Sequence, residues 1–191
     1  MRIGIFGGTF NPIHYGHLVL AETARESLAL DRVVLIPTRQ PPHKSTRGLL
    51  PGSVRLELIQ RAIRDNAAFV ASDIELQRPD VSYSIETVRA LRAQLPDAKL
   101  FLLIGEDMLG VRWLGWDELT RLCTVVVAHR AGQKKSRQKT KVKWLPMPVL
   151  DISSSDIRAR LRAGRSIRYL VPPSVEHHIR HHHLYSAGGN G

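Results

Sequence analysis

With a single cysteine, Cys123, among its 191 residues, the chain has no partner for an internal disulfide and no paired-cysteine metal site. Cys123 borders the apolar run Thr124–Ala128, so its expected place is the core. No apolar stretch approaches the roughly 18 residues of a membrane span. The opening segment Met1-Arg-Ile-Gly-Ile-Phe-Gly-Gly8 lacks the long apolar region of a secretory signal, and a cytoplasmic protein without membrane contact is the expectation. Internal repeats and low-complexity blocks are missing, as is any composition break that would divide the chain. Acidic residues are few, 17 Asp and Glu against 28 Lys and Arg, leaving a formal charge of +11. That surplus excludes little by itself but favours anionic partners, whether phosphates on a small molecule or a nucleic acid.

What is present suits one globular domain over residues 1–191. Hydrophobic residues make up 43% of the chain, enough for an ordinary core. Much of the basic surplus is local: Lys134, Lys135, Arg137, Lys139, Lys141 and Lys143 fall between Gln133 and Lys143 with no acid among them. A solvated loop or hairpin explains that stretch, and nucleic-acid affinity is the less favoured reading.

Short apolar runs lacking polar alternation occur at Arg2–Phe6, Val33–Pro37, Leu100–Ile104 and Thr124–Ala128, as in strands covered on both faces. Between them lie helical patterns over His17–Leu30, over Ser53–Ile63 with Val54, Leu58 and Ala62 as its stripe, and over Ser84–Leu95. The alternation predicts an α/β fold, a Rossmann-like doubly wound parallel sheet with a five-stranded core. A small C-terminal helical part over about 152–185 would complete it. Ligands of such sheets lie beyond the carboxyl ends of the strands, where the strand order reverses.

The first strand runs into Gly7-Gly-Thr-Phe-Asn-Pro-Ile-His-Tyr-Gly-His17. Paired glycines let a backbone approach an anion closely, and the following helix start would aim free N–H groups and its dipole at the same space. His14 and His17 are placed to reach one anion from that turn. The pattern is neither G-x-G-x-x-G nor a phosphate-binding loop ending in Gly-Lys. Two histidines without an evident third ligand also make a poor metal site. The serine cluster Ile152-Ser-Ser-Ser155 is a second helix start, for a helix over Ser155–Arg162, with hydroxyls and N–H groups that read as a cap more readily than as an anion site. His177–Leu184 reads as an exposed helix end.

Gly8-Thr-Phe-Asn-Pro-Ile-His-Tyr-Gly-His17 resembles the G-x-F-x-P-x-H-x-G-H motif of the nucleotidyltransferase superfamily. Within it, the chain is similar to the bacterial nicotinate-nucleotide adenylyltransferases. The likeness runs almost to Tyr185, through Leu35-Ile-Pro37, Pro41-Pro-His-Lys44, Ser82-Tyr-Ser84, Gly105-Glu-Asp107, Trp113 with Trp116, Ile152–Arg158 and Ser166–Pro172. It implies adenylyl transfer from ATP to nicotinate mononucleotide, with His14, His17 and Arg158 as catalytic residues. ATP contacts would come from Gly7, Gly8, Thr9, Phe10, His17, Gly105, Asp107, Ile152, Ser153, Ser154, Ser155 and Arg158. Mononucleotide contacts would come from Lys44, Ser84, Trp113 and Trp116, with Trp113 stacking on the pyridine and Trp116 mainly packing. Lys44 serves as well as a solvated side chain. Mg2+ accompanies ATP, no dedicated metal cage is evident, and homo-oligomerisation is left open. The rival readings are transfer to another acceptor, phosphopantetheine or nicotinamide mononucleotide, and a nucleic-acid-binding protein on the same fold.

Overall fold

The computed structural model describes residues 1–42, 46–130, 142–148 and 150–186, so Lys44 and most of the basic stretch lie outside the described residues. In chain order the elements are β1 (Arg2–Gly8), α1 (Tyr15–Ser27), β2 (Arg32–Pro37), α2 (Gly52–Ile63), β3 (Phe69–Ala71), α3 (Ser84–Gln94) and β4 (Lys99–Gly105). A 3-10 turn, Glu106–Gly110, leads to α4 (Trp116–Leu122), β5 (Thr124–Arg130), β6 (Val142–Met147), α5 (Ser154–Arg162) and α6 (Pro173–His181). The strands form one sheet in the order β3-β2-β1-β4-β5-β6, parallel at every pairing. The order reverses between β1 and β4, which leaves a crevice beyond their carboxyl ends.

Side chains alternate across each strand and divide the core in two. Phe6, Val33, Leu35, Phe101, Leu103 and Val126 face a cluster closed by α1, α2, α5 and α6 through Ala21, Leu58, Ile157 and Ile179. Ile3, Ile5, Val34, Ile36, Leu102 and Val127 face another, closed by α3 and α4 through Ile85, Val88 and Leu119. Burial on both faces is why the strands read as unbroken apolar runs. Cys123 is buried in the second cluster, where desolvation pushes its thiol up to about 12. Among the described residues, no helix is long and apolar enough to cross a membrane.

Six strands replace the expected five. Two of them leave no strong sequence signal: β3 is only three residues long, and β6 is an edge strand with Lys143 and Pro146 exposed. The C-terminal helical part joins the first core cluster through Ile157, Ile167, Val175 and Ile179. The histidine-rich end is exposed at His181–His183, as expected, but not at His178. That ring is 6% exposed, with Nδ1 3.6 Å from Glu57 of α2.

Candidate active site

A cleft of about 280 Å³ opens at the carboxyl ends of β1 and β4. Its wall contains Gly7, Gly8, Thr9, His17, Ser84, Gly105, Asp107 and Trp113, residues far apart in sequence that the fold gathers at the strand ends. A slightly larger hollow of about 310 Å³ lies outside α2, lined by Glu57, Gln60, Arg61, Arg64 and Ser174. It lies away from the strand ends, and Arg61 already pairs with Glu57 at 2.8 Å.

On the β1 side, a Cβ added at Gly7 would meet nothing within 4 Å, so this backbone borders the open cleft. Phe10, expected as a nucleotide contact, keeps its side chain out of the cleft wall. Its ring is fully buried, 5.4 Å from Phe6 and 5.0 Å from His17, and supports the turn from beneath. Only its backbone remains available to a ligand. His14 precedes α1 and its backbone N–H donates to His17 Nδ1 at 3.2 Å. That bond assigns Nδ1 as an acceptor and places the proton of a neutral His17 on Nε2.

The two histidine rings stack with centroids 3.7 Å apart, but they are not equivalent. His17 belongs to the cleft wall, whereas His14 is 6% exposed behind it, with Nδ1 buried and unpartnered. Burial lowers His14 to about 4, so its ring is neutral at pH 7. The stack therefore does not set two positive charges face to face.

The serine-rich element sits across the Asn11–Pro12 turn rather than in the cleft wall. Ser153 is the cap, its Oγ accepting from Asp156 N–H at 3.0 Å, and α5 begins at Ser154, one residue before the expected start. Ser154 Oγ donates to Pro12 O at 2.9 Å. Arg158 donates from Nη1 to Asn11 O at 2.7 Å and from Nη2 to Ser155 Oγ at 3.2 Å. Cap and arginine thus occupy different residues of one helix start, and the two readings of this segment do not compete.

On the β4 side, a Cβ at Gly105 would meet the Asp107 carboxylate, so the two residues lie in close contact across this turn. Glu106 Oε2 lies 2.9 Å from His129 Nδ1, tying the turn to the end of β5. Trp113 lies in the wall and donates from Nε1 to Met108 O at 2.8 Å. Trp116 opens α4, packs on the second core cluster and meets Trp113 edge-on at 5.6 Å.

Three residues near the cleft carry no expectation from sequence. Thr38 follows β2, and its place at a strand end was a usable signal. Glu75 is buried in the wall, with Oε1 accepting from Thr87 Oγ1 at 2.7 Å and Oε2 unpartnered; desolvation raises its carboxyl above the usual range. Arg55 is 1% exposed and donates to Thr9 O and Leu50 O, each at 2.8 Å. Nothing in the sequence marks either of the last two.

Comparison with known proteins bears on the family and the fold. Residues 5–160 match the cytidylyltransferase-like family. A protein of Synechococcus sp. (strain JA-3-3Ab), named probable nicotinate-nucleotide adenylyltransferase, is 43% identical, with 96% of this chain and 94% of the relative covered. One of the same name from Shouchella clausii (strain KSM-K16) is 44% identical, with 96% of each covered. Among solved structures, Plasmodium falciparum nicotinic acid mononucleotide adenylyltransferase complexed with NaAD superposes with a TM-score of 0.79 at 20% identity, covering 96% of this chain and 97% of that one. That likeness is one of fold.

Proposed function

The chain belongs to the nicotinate-nucleotide adenylyltransferase family, and we propose from that membership and the cleft geometry how its residues divide the work. The enzyme transfers the adenylyl group of ATP to nicotinate mononucleotide, giving nicotinate adenine dinucleotide and pyrophosphate, a step of NAD biosynthesis. The mononucleotide phosphate attacks the α-phosphorus, the bond to the β-phosphate breaks, and pyrophosphate leaves in line. No protein nucleophile is needed, so catalysis rests on positioning and on donors aimed at developing charge.

The observation that carries the assignment is the His14 N–H to His17 Nδ1 bond, which leaves Nε2–H as the donor of a ring in the cleft wall. We assign His17 to the phosphate oxygens and His14 to supporting it, a narrower role than the phosphate contact expected of both rings. Gly7 to Thr9, Gly105 and Asp107 accept the adenosine side. The triphosphate runs from His17 toward Ser153–Ser155 and Arg158, whose fork suits phosphate oxygens. Ser84 and Trp113 hold the mononucleotide, and Lys44 belongs to the same proposal. The whole chain works as one domain, and we place it in the cytoplasm.

The family's chemistry uses a divalent metal with ATP, and Mg2+ is the ion we assign. Among the described residues, no group of three or more His, Cys, Asp or Glu side chains is arranged to hold a metal. This donor set fits an ion carried mainly by phosphate oxygens, with Asp107 as one nearby cleft carboxylate. When bound, it neutralises charge on the leaving phosphates.

Pyrophosphate release measured with nicotinate mononucleotide, nicotinamide mononucleotide and phosphopantetheine tests the acceptor. The expected order places nicotinate mononucleotide highest in kcat/KM; a higher value for phosphopantetheine would overturn the assignment. For the pyridine site, Trp113→Ala is expected to raise mononucleotide KM about tenfold, the upper range for an aromatic stack, with little change in melting temperature. Trp116→Ala is expected chiefly to lower melting temperature. The reverse pattern in paired kinetics and melting curves would move the stacking role to Trp116.

A further inference from the structure

Asn11 is a buried hub in the turn between the glycine pair and the histidines. Its Oδ1 accepts from Leu50 N–H at 3.2 Å and from Tyr185 Oη–H at 2.8 Å, and its Nδ2 donates to Gly48 O at 2.8 Å. Its backbone carbonyl is the anchor of Arg158 Nη1 at 2.7 Å. Tyr185 arrives from the far end of the chain, 174 positions away, with a backbone φ of 64°. A bulky residue holds that left-handed conformation only where its surroundings fix it. Burial raises the phenol above its ordinary range, so it remains a protonated donor at any working pH.

We propose that Tyr185 is a positioning residue for adenylyl transfer: by pinning Asn11, it fixes the carbonyl that aims Arg158 at the phosphates. The inference rests on the phosphate role given to Arg158 above. The geometry allows little else for this phenol. Its oxygen meets Asn11 rather than the cleft, and both Arg158 and Arg55 lie within electrostatic range of it. The C-terminal segment thereby reports its docking to the phosphate side of the site while leaving the pyridine side alone.

Tyr185→Phe keeps the ring and its packing, and Asn11 Oδ1 retains the Leu50 bond. It is expected to raise the KM for ATP or lower kcat/KM for ATP about tenfold, the scale of one hydrogen bond serving a charged group. The KM for nicotinate mononucleotide should stay within about twofold. Because Tyr185 acts through Arg158, the ATP effect should vanish when Tyr185→Phe is added to Arg158→Ala, a non-additivity that a general loss of stability would not produce. KM is read as well as kcat, so a reduced folded fraction does not mask the result. Equal losses toward both substrates, or additive losses in the double variant, overturn the proposal. Normal Tyr185→Phe kinetics beside a damaged Arg158→Ala overturn it too, yet leave the role of Arg158 standing. Unchanged ATP kinetics in Arg158→Ala alone remove both.

Discussion

Replacing His17 by alanine is expected to lower kcat at least ~100-fold, the usual scale for losing a preorganised donor aimed at developing charge. The ring does two separable things. In the role proposed for it, its Nε2–H serves phosphates on which negative charge grows, and its Nδ1 accepts the His14 backbone N–H at 3.2 Å at the start of α1. Alanine removes both functions, so a loss of about 1 kcal/mol in stability should accompany the loss of turnover. His17→Asn separates them, because the asparagine oxygen can still take the His14 N–H. It should recover most of the melting temperature but little of the turnover. Steady-state kinetics at saturating substrates, read beside thermal unfolding, check both variants. Near-normal kcat in folded His17→Ala would return the ring to a packing role against Phe10 and His14.

The glycine pair Gly7-Gly8 was legible as a close-approach turn, and Gly105 and Asp107 through the resemblance to known enzymes, before the fold was known. Gly7, Gly8, Gly105 and Asp107 sit at strand ends, where apolar runs stop at glycine, and the structure puts all four in the wall. The asymmetry of the histidines was not legible. His14 and His17 have the same chemistry and a helical spacing, and only packing decides that one ring is covered and the other faces the cleft. Phe10 offers a ligand only its backbone, for a related reason. The turn needs an apolar foot, and a fully buried ring beneath the histidines supplies it.

Fold-level legibility followed burial. Strands with both faces covered, β1, β2, β4 and β5, announce themselves as continuous apolar runs. The edge strands have less to bury: β3 is short, and β6 buries Leu145 and Met147 but leaves Lys143 and Pro146 exposed beside a basic stretch. Helix α2 shows the same limit on a smaller scale. Its apolar residues suggest a stripe of Val54, Leu58 and Ala62, but the buried residues are Arg55, Leu58, Ile59 and Ile63. A pattern that scores only apolar residues rotates the helix away from its true inner face, because an arginine belongs to that face.

Arg55→Met is therefore expected to be among the most damaging substitutions outside the cleft, costing on the order of 2–4 kcal/mol. Arg55 is 1% exposed, and its guanidinium donates to Leu50 O and Thr9 O, each at 2.8 Å. A buried charge is expensive, and replacing a whole buried ion pair by apolar residues is often neutral or stabilising. Here that relief is incomplete, because the acceptors are backbone carbonyls that no side-chain change can remove. Methionine fills most of the volume yet strands two acceptors, at roughly 1–3 kcal/mol each, against which the recovered desolvation of the charge is set. With a urea slope of about 2 kcal/mol/M, the unfolding midpoint should fall by about 1–2 M. Since Thr9 belongs to the cleft wall, the surviving folded enzyme should also show a higher KM for ATP. Arg55→Lys, which keeps the charge but cannot serve both carbonyls with a planar fork, should lie between the parent and Arg55→Met. A methionine variant as stable as the parent would mean that the two carbonyls find other donors, and that the buried arginine is dispensable to the turn that carries the site.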